Sequence, residues 1–464
     1  MQKFNRFLFF IITAAGIFFW SCGVNNRTTN DINNLTFETD SVIFDTVFTT
    51  VGSSTEVFVF YNLGEDELIV DDIFLAGGEF SPYTINIDGV SGHKFKELSI
   101  LPGDSLFAFV EVLIDPNNVT TPFVVKDSII FKSDNLQKDI KLISWGQNAY
   151  FHYGDTILTN TTWESDKPHV LFGEVIVGAG ATLTINECAQ IYGYSFSRLN
   201  IARNSALRVL GTVECPVVFQ GHRKEERYLE EPGQWIGIRL LPGASQSLIQ
   251  HAIIKNGFRG VQVDSMPVSR EPNMILQNTT ITNMNLVCLL GYTASIQAVN
   301  CEFINSCEFI MVGELGGNYN FTYCTFGNFQ KGCVRSTPSV YLSNADYTDL
   351  NEIVFTNPLD YSIVNCIIYG SQEEELGFNF GGSGDITATV GHSLIRTKIS
   401  DYDVNNNILN QDPQFVNPSN LNYQLDSLSP AISKAVPVSN VATDYFLKIR
   451  DASTPDIGAF EWQQ

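Results

Sequence analysis

The residues best suited to chemistry lie in a charged segment between residues 222 and 235. It reads His222-Arg-Lys-Glu-Glu-Arg-Tyr-Leu-Glu-Glu-Pro-Gly-Gln-Trp235. Both signs of charge accompany two aromatic rings that could stack on sugar rings, so the segment is a candidate for ligand binding. The alternative is a solvated loop with its Trp packed into the core. The candidate ligand-binding residues are Tyr228, Glu230, Glu231 and Trp235.

A second candidate is an acidic segment that could hold a calcium ion, since calcium prefers carboxylate oxygens. Its candidate ligands are Glu373, Glu374, Glu375 and Asp385. The alternative is a solvated acidic loop, which is also the expected state of a further patch formed by Asp346, Asp349 and Asp360. The sequence has no Cys-x-x-Cys pair and no Cys/His cluster, so no zinc or redox site is predicted, and calcium is the sole candidate cofactor.

The elements that position these residues are set by a phrase that recurs between residues 251 and 396, here named the repeated hexapeptide. Its copies are 251–256, 278–283, 300–305 and 323–328, with degenerate copies at 365–370 and 391–396. The aligned apolar residues Ile254, Ile281, Phe303 and Phe326 are separated by 27, 22 and 23 residues. A period near 22 with alternating polarity is typical of one short strand per turn of a solenoid. The pattern predicts a parallel β-helix.

The alternation also predicts which side chains of the hexapeptide face outward. The outward set is Lys255, Thr280, Thr282, Glu302, Thr325 and Tyr369. Hydrolases on such a scaffold need carboxylates on adjacent turns, and Glu302 has no carboxylate at the matching places of neighbouring turns. No catalytic residue is therefore predicted on this face, and function is expected on the excursions at 222–234, 264–273 and 329–361 or on the other two faces of the solenoid.

The last residue of each well-preserved hexapeptide is an asparagine at the bend after the strand. We expect these side chains to stack in a structural ladder, bonding one another and backbone carbonyls. The ladder residues are Asn256, Asn283, Asn305 and Asn328.

The cysteines divide into an inward column and a candidate disulfide. Cys301, Cys324 and Cys366 occupy the same place in the hexapeptide, so we expect a buried column of small apolar side chains. Cys188 and Cys215 lie about one turn apart and are the preferred candidate pair for a disulfide, which would require an oxidising compartment.

Composition bounds the fold class and the partners. At 464 residues the chain exceeds one ordinary core, and 34 Phe and 17 Tyr against 5 Met favour strands. The predicted class is all-β. A net charge of −23 disfavours binding to nucleic acid, anionic lipid or a polyanionic polysaccharide.

The first residues resemble a bacterial lipoprotein signal. Lys3 and Arg6 precede an apolar run from Phe7 to Trp20, and small residues flank Cys22. The resemblance implies a signal peptide at 1–21, lipidation of Cys22 and anchoring in the outer membrane, with Gly23 favouring that destination. The facing of the anchored chain, toward the periplasm or the exterior, stays open. An ordinary cleaved signal or an N-terminal transmembrane helix is the alternative. Residues 22–34 are polar and predict a tether.

From residue 35 to 149, strands alternate with turns at sandwich spacing. The order of an Asn62-Leu-Gly64 turn, Gly77-Gly-Glu-Phe80 and Pro102-Gly-Asp-Ser105 resembles immunoglobulin-like domains found beside bacterial solenoids. That resemblance implies a spacer or protein-binding module. Residues 150–168 are predicted as a crossover, and 169–405 as the β-helix.

The end of the chain carries a closing phrase. It comprises Asp412-Pro-Gln-Phe415, Ser429-Pro-Ala-Ile432 and Pro455-Asp-Ile-Gly-Ala-Phe-Glu461. These motifs resemble the C-terminal element of bacterial right-handed parallel β-helix proteins of the pectate-lyase-like superfamily. The resemblance implies that residues 406–464 cap the open end of a right-handed solenoid.

Three functions remain open on the sequence. The favoured hypothesis is a lipid-anchored envelope protein that binds glycans or protein partners without catalysis. The others are a surface polysaccharide lyase or hydrolase and a structural subunit of an outer-membrane assembly. Convergence of polar side chains from the 222–234 and 329–361 excursions over one face would keep the enzyme hypothesis open, and scattered side chains would exclude it.

Overall fold

The structure is a computed structural model that describes residues 27–178, 180–264, 271–347, 353–381 and 385–462. The predicted signal peptide and the lipidation site Cys22 lie outside the described residues. The chain forms two compact units that divide between Asn148 and Ala149. In the described ranges, no helix has the length and apolar character needed to cross a bilayer.

The first unit is a β-sandwich, as predicted. Its strands are β1 (Thr28–Thr29), β2 (Leu35–Phe37), β3 (Ser41–Phe48), β4 (Glu56–Asn62), β5 (Glu67–Leu75), β6 (Tyr83–Ile87), β7 (Val90–Gly92), β8 (Lys94–Ile100), β9 (Ser105–Val112), β10 (Phe123–Ser133) and β11 (Leu136–Gln147), with 3₁₀ turns at Ile32–Asn34 and Gly78–Phe80. One sheet runs β1-β5-β10-β11-β3 with β8 beside β5, and the other runs β2-β4-β9-β6-β7. Alternation explains the core, because Phe58 and Phe60 of β4 are buried while Val57 is exposed.

The predicted tether at 22–34 requires a correction at its end. Thr28 and Thr29 pair in parallel with β5, and Ile32 is buried in the sandwich core. The polar composition that predicted a tether belongs to an edge strand, whose side chains need no burial.

The second unit is a parallel β-helix. Its strands are β12 (Tyr150–Tyr153), β13 (Thr156–Ile157), β14 (Thr161–Trp163), β15 (His169–Phe172), β16 (Glu174–Val177), β17 (Thr182–Asn186), β18 (Gln190–Gly193), β19 (Arg198–Ile201), β20 (Ala206–Leu210), β21 (Val217–Gly221), β22 (Gly237–Leu240), β23 (Ser247–Gln250), β24 (Ala252–Lys255), β25 (Arg259–Asp264), β26 (Met274–Gln277), β27 (Thr280–Met284), β28 (Val287–Val299), β29 (Glu302–Ser306), β30 (Phe309–Thr322), β31 (Thr325–Asn328), β32 (Val340–Ser343), β33 (Ala345–Tyr347), β34 (Ile353–Thr356), β35 (Leu359–Val364), β36 (Ile367–Gly370), β37 (Leu376–Asn379), β38 (Ile386–Gly391), β39 (Leu394–Ile395), β40 (Ile408–Leu409), β41 (Phe415–Asn417) and β42 (Asn422–Leu425). Short 3₁₀ turns lie at Glu226–Tyr228, Ser400–Tyr402 and Pro418–Asn420.

The strands of the repeated hexapeptide stack into one parallel sheet, here named the hexapeptide sheet. Its order is β12-β15-β18-β21-β24-β27-β29-β31-β36-β39-β40. The register is the predicted one for most copies, since Ile254 pairs with Ile281, Ile281 with Phe303 and Phe303 with Phe326. The last copy is shifted, because Ile368 pairs with Ile395 and not with Leu394. That copy is therefore 392–397 and not 391–396.

The interior of the hexapeptide sheet confirms the predicted inward columns. Phe303 and Phe326 are fully buried with ring centroids 5.2 Å apart. Cys301, Cys324 and Cys366 are buried as free thiols on successive turns. Their size lets neighbouring strands approach while the aromatic rings fill the centre.

The β-helix begins earlier and ends later than predicted. Residues 150–168, predicted as a crossover, form the first turn, because β12, β13 and β14 pair in parallel with β15, β16 and β17. At the other end β40 pairs with β39, beyond the predicted limit at 405. The short strands of these turns lack the hexapeptide, so sequence periodicity could not reveal them.

Residues 410–462 run along the outer face of the hexapeptide sheet. The main-chain N–H of Gly458 donates to the carbonyl of Asn365, and that of Ala459 donates to the Thr325 hydroxyl. Farther back, the Tyr445 and Thr280 hydroxyls lie 3.0 Å apart. The predicted cap of the solenoid end therefore covers outward-facing strand residues of the hexapeptide sheet.

Candidate functional site

The two ends of the repeated hexapeptide adopt the same unusual backbone conformation. Its first residues His251, Asn278, Asn300, Tyr323, Asn365 and His392 all have positive φ, between 46° and 59°. Of the residues at its last position, Asn256, Asn283 and Asn305 have φ values of 65°, 53° and 53°. Asparagine tolerates this left-handed region because its short amide can bond locally. We name the two corners the start edge and the end edge.

At the start edge, side-chain amides hold the C-terminal segment. Asn278 donates to the carbonyls of Asp444 and Tyr445 at 2.9 and 2.8 Å, and Asn300 donates to that of Thr443 at 2.8 Å. Buried main-chain groups of a segment without regular structure are thereby satisfied.

Arg450 completes this attachment from the other side. Its guanidinium is buried, donates to the Asn300 amide oxygen at 3.0 Å and lies 3.2 Å from the Glu461 carboxylate. It also stacks over the Tyr323 ring at 3.9 Å. A residue of the C-terminal segment thus binds two start-edge residues.

At the end edge the asparagine amides have different hydrogen-bond partners from those expected of a stacked ladder. Asn256 donates to the carbonyl of Leu229 at 2.8 Å, and Asn283 donates to the carboxylate of Glu230. Asn305 accepts from the Tyr423 hydroxyl at 2.6 Å, while Asn328 bonds the main chain of Ser306. Within the described residues these four side chains bond loops and main chain rather than one another. Asn256 and Asn283 hold the first excursion, whereas Asn305 holds Tyr423 of the C-terminal segment.

The first excursion is anchored by Trp235. This side chain is fully buried, its Nε1 donates to the Lys255 carbonyl at 2.9 Å, and its ring lies parallel to that of Phe219. Trp235 therefore belongs to the core, as the alternative interpretation of this segment predicted, and is not exposed for the ligand contact that was also considered. Tryptophan suits this anchoring role because its large side chain fills core volume and its Nε1–H group finds a hydrogen-bond acceptor.

The other three candidates stay on the surface of the excursion. The Tyr228 ring is covered by the guanidinium groups of Arg223 at 4.0 Å and Arg227 at 4.8 Å. Glu230 forms an ion pair with Lys255 at 3.3 Å, and Glu231 is exposed. Lys255 is one of the predicted outward residues, so the excursion folds over the outer face.

Two cavities meet beneath this excursion. The first, of about 530 Å³, is lined by Glu226, Arg227, Glu230, Glu231, Pro232, Asn283, Asn305, Cys307, Phe329, Gln330, Lys331, Gly332, Pro418, Ser419, Asn420 and Leu421. The second, of about 490 Å³, is lined by Gln190, Val218, Gln220, Glu230, Ile253, Lys255, Thr280, Thr282, Glu302, Ile304 and Leu421. Glu230 and Leu421 line both cavities, which together we name the outer-face groove. A third cavity, of about 490 Å³, lies beside His222, shares Arg227, Glu231 and Pro232 with the first cavity and is also lined by Tyr228.

Glu302 lies at the floor of the groove and is its most perturbed group. The residue is 6% exposed, and burial raises the pKa of its carboxyl to about 8, opposed by a hydrogen bond from the Thr280 hydroxyl at 3.0 Å. Its Oε1 is buried without a hydrogen-bond partner in the structure. The outward direction of the Glu302 side chain was predicted from the hexapeptide. Its coverage by the C-terminal segment was not predicted.

The candidate calcium ligands are not brought together. Glu375 is buried in an ion pair with Arg335 at 2.6 Å, and Glu373 pairs with Lys398 at 2.6 Å. Glu374 accepts a hydrogen bond from the Thr397 hydroxyl, while Asp385 is exposed and directly precedes β38. Among the described residues no group of three or more acidic, His or Cys side chains is placed to hold a metal.

The remaining acidic patch is also dispersed. Asp346 belongs to the β33–β34 hairpin, Asp360 belongs to β35, and Asp349 lies outside the described residues. The structure thus gives this patch no common site.

The structure contains the preferred disulfide and one that was missed. Cys188 and Cys215 are bonded, as are Cys307 and Cys333. Cys307 lies two residues after the end-edge Asn305, and Cys333 lies five residues after Asn328 on the next turn. Their places after the same corner of successive turns were the signal that could have predicted the pair. The bond ties residues 329–338, the part of the predicted 329–361 excursion that is here named the second excursion, to the wall of the outer-face groove.

Comparisons with known proteins agree with the fold. A family model described as a pectate-lyase like beta helix domain matches residues 155–248. No curated protein matches the sequence.

Two solved structures resemble parts of the chain weakly. One is the ASH/PapD-like domain 7 of human CEP192, with 10% identity, a TM-score of 0.18, and coverage of 25% of this chain and 84% of that one. The other is a family 123 glycoside hydrolase from Clostridium perfringens, with 11% identity, a TM-score of 0.17, and coverage of 25% and 26%. At these scores neither likeness bears on function.

Proposed function

We propose that this chain is a cell-envelope protein that binds a glycan in the outer-face groove. The proposal rests on one observation, which is that three segments from distant parts of the sequence line one cavity. They are the 222–234 excursion, the 329–338 excursion and the C-terminal turn at Pro418–Asn420. Sequence-distant loops that meet over a rigid sheet are the usual construction of a binding site.

The lining of the groove suits a hydroxyl-rich ligand. Amide and hydroxyl groups of Gln190, Gln220 and Thr282 lie beside the apolar side chains of Ile253 and Leu421. Sugars present both hydroxyl groups and apolar C–H faces, so this mixture supplies hydrogen bonds and packing together.

Charge favours a neutral glycan over an acidic one. The chain carries a net charge of −23, and the groove cations Arg227, Lys255 and Lys331 are balanced by the carboxylates of Glu226, Glu230 and Glu231. A polyanion would be repelled by the surface and would find no surplus of positive charge in the groove.

The envelope location is proposed from the sequence around Cys22. Lipidation there would tether the chain to a membrane through more than one acyl chain, which suffices for stable anchoring. Metabolic labelling with a radioactive fatty acid is expected to mark the wild-type protein and not a Cys22→Ser variant. Equal labelling of both would contradict the anchor.

A glycan array tests the binding proposal. The 27–464 protein is expected to bind at least one neutral oligosaccharide, and a Ser419→Trp variant, which places an indole in the groove, is expected to lose that binding. Ser427→Trp is the matched control, because Ser427 is an exposed residue of the same segment outside the groove. Failure of every glycan to bind, or equal loss in both variants, would overturn the proposal.

A further inference from the structure

We propose that one end of the β-sandwich docks on a zwitterionic lipid surface, that of the bilayer to which Cys22 would anchor the chain. The inference rests on the envelope anchor of the proposed function, and it concerns the compact unit that does not contain the groove. The side chains that enter the lipid are Leu63, Leu101 and Leu136.

The stretch of chain between Cys22 and the sandwich is short. Thr28 and Thr29 pair with β5, and the Glu67 N–H donates to the Arg27 carbonyl at 2.9 Å, so the sandwich holds the chain from Arg27 onward. Arg27 is five residues after Cys22, and five residues at full extension span at most about 18 Å. An acyl chain on Cys22 would therefore bring the bilayer close to the end of the sandwich at which β1 begins.

Three loops of the sandwich lie together at this end. Because β8 and β10 are antiparallel to β5, the loop before β5, the loop after β8 and the β10–β11 turn are neighbours. These loops are residues 63–66, 101–104 and 134–135. Each contains or directly precedes an exposed leucine, since Leu63 is 68% exposed, Leu101 49% and Leu136 41%.

The buried Asn62 joins the first two loops. Its side-chain amide donates to the carbonyls of Asp66 and Ile100 at 2.7 and 3.0 Å, and the Gly103 N–H donates to its main-chain carbonyl at 2.9 Å. The first two leucines are therefore carried by loops that share one buried hydrogen-bonding residue.

The third loop is fixed through Asp71. One carboxylate oxygen of Asp71 accepts from the Asn30 amide at 2.6 Å, and the other accepts from the Asp134 N–H at 3.0 Å. The segment that enters the sandwich and the turn that precedes Leu136 are thereby tied to the same strand. A surface that is ordered before contact loses little conformational entropy when it docks.

Charge indicates which lipid this end can approach. Glu65, Asp104 and Asp134 are exposed, one in each loop. An anionic bilayer would repel these carboxylates, whereas zwitterionic headgroups carry no net charge. Insertion of the leucines into zwitterionic lipid removes apolar surface from water without that repulsion.

The position of the anchor distinguishes this end from other exposed apolar parts of the sandwich. Phe80 is 98% exposed, but it follows β5 at the opposite end, and the nine residues of that strand span about 30 Å. Phe109 is exposed in β9, four residues beyond its start at Ser105. Weak insertion suffices beside the anchor, because the acyl chain holds the leucines at high local concentration against the bilayer.

The test uses the full chain with its acyl anchor, reconstituted in phosphatidylcholine vesicles. Leu63→Cys, Leu101→Cys and Leu136→Cys are each labelled with the fluorophore NBD, and Phe80→Cys and Phe109→Cys are the matched controls. The free native thiols of the described residues are buried and escape labelling. NBD at the three leucine positions is expected to shift its emission to the blue and to be quenched several-fold by doxyl-labelled lipid. NBD at the two control positions is expected to show neither effect.

Two further measurements test the roles of the leucines and of charge. Leu63→Ser combined with Leu136→Ser should remove most of the quenching at position 101, and persistence of that quenching would overturn the role of the leucines. Replacing phosphatidylcholine by phosphatidylglycerol should weaken quenching at low ionic strength, and added salt should restore it. Stronger quenching in the anionic vesicles would overturn the choice of lipid.

The outcomes separate docking from the anchor and from glycan binding. Absence of quenching at all five positions, in a chain that carries labelled fatty acid, overturns docking and leaves the anchor in place. Equal quenching at either control position overturns the choice of this end. A chain that incorporates no fatty acid overturns the anchor and docking together, while the glycan array on the 27–464 protein is unaffected by either result.

Discussion

The start edge and the end edge of the repeated hexapeptide are built alike and are used differently. Both place left-handed asparagines at the corners of successive turns. At the start edge these residues bind the main chain of the C-terminal segment, whereas at the end edge Asn256 and Asn283 bind the first excursion. The same local conformation thus holds the C-terminal segment over the sheet at the start edge. At the end edge it holds the first excursion, which forms part of the groove.

The partner at each edge explains the difference. The C-terminal segment presents buried carbonyl groups and a buried arginine, so loss of its contacts leaves polar groups unsatisfied. The excursion presents surface carbonyls and the exposed carboxylate of Glu230, which water can satisfy in part. Changes at the start edge should therefore act on stability, and changes at the end edge should act on binding.

The largest effect is expected from Arg450→Met at the start edge. The substitution leaves Glu461 and Asn300 buried without their charged partner, and a broken buried pair costs about 3–5 kcal/mol. Urea unfolding of the β-helix unit is expected to show this loss. A loss below about 1 kcal/mol would show that the C-terminal segment is not an integral part of the unit.

The next effect concerns Glu302, which lies between the edges. Its folded-state pKa of about 8 lies above the ordinary 4.5, so the folded chain holds this proton more tightly than the unfolded chain. The protonated carboxyl therefore contributes its full stabilisation below about pH 4.5, and the free energy of unfolding falls as pH rises toward 8. The total loss is about 1.4 kcal/mol for each unit by which the folded-state pKa exceeds 4.5.

Glu302→Gln removes this titration. The variant is expected to match the wild type near pH 4.5 and to gain on it by a few kcal/mol at pH 8, as measured by urea unfolding at both pH values. A difference between the two proteins that does not change with pH would contradict the buried, protonated carboxyl.

A third prediction concerns the Cys307–Cys333 bond, which fixes the second excursion to the groove wall. Replacing both cysteines by serine should lower stability by about 3 kcal/mol, the value for a loop of this length. It should also weaken glycan binding, since Gln330 and Lys331 line the groove. The same change at Cys188 and Cys215 is the control and should leave affinity unchanged. Equal affinity in both double variants would separate the second excursion from the groove.

The smallest expected effect gives the most direct contrast between the edges, because Asn278 and Asn283 are the first and last residues of the same hexapeptide copy. Asn278→Gly and Asn283→Gly both keep the left-handed backbone and remove only the amide. Asn278→Gly should cost about 1–3 kcal/mol of stability and leave affinity unchanged. Asn283→Gly should cost less than about 1 kcal/mol and reduce affinity several-fold. If Asn278→Gly reduced affinity and Asn283→Gly reduced stability, the proposed difference between the start edge and the end edge would be contradicted.

The hexapeptide explains why so much of the fold could be predicted and why the site could not. Residues such as Phe303 and Cys324 repeat at the period of the turns, so their inward direction is encoded locally. Glu302 was placed on the outward face for the same reason. Its neighbours Glu230 and Tyr445 come from segments 72 and 143 residues away in sequence, counting from the residue numbers. No repeat records such contacts, so they appear only when the chain is folded.

Trp235 and Glu375 show a second limit of sequence patterns. Composition marked both as surface ligands, yet each is fully buried and anchors a loop. A charged segment contains the residues that attach it as well as those that it exposes, and residue type alone does not separate them.

Hydrogen–deuterium exchange with the bound oligosaccharide tests the central claim most directly. The account predicts that added glycan slows exchange together at 226–232, 329–332 and 418–421, the three segments that line the groove. Unchanged exchange in these segments, with protection on another surface of the chain, would contradict it.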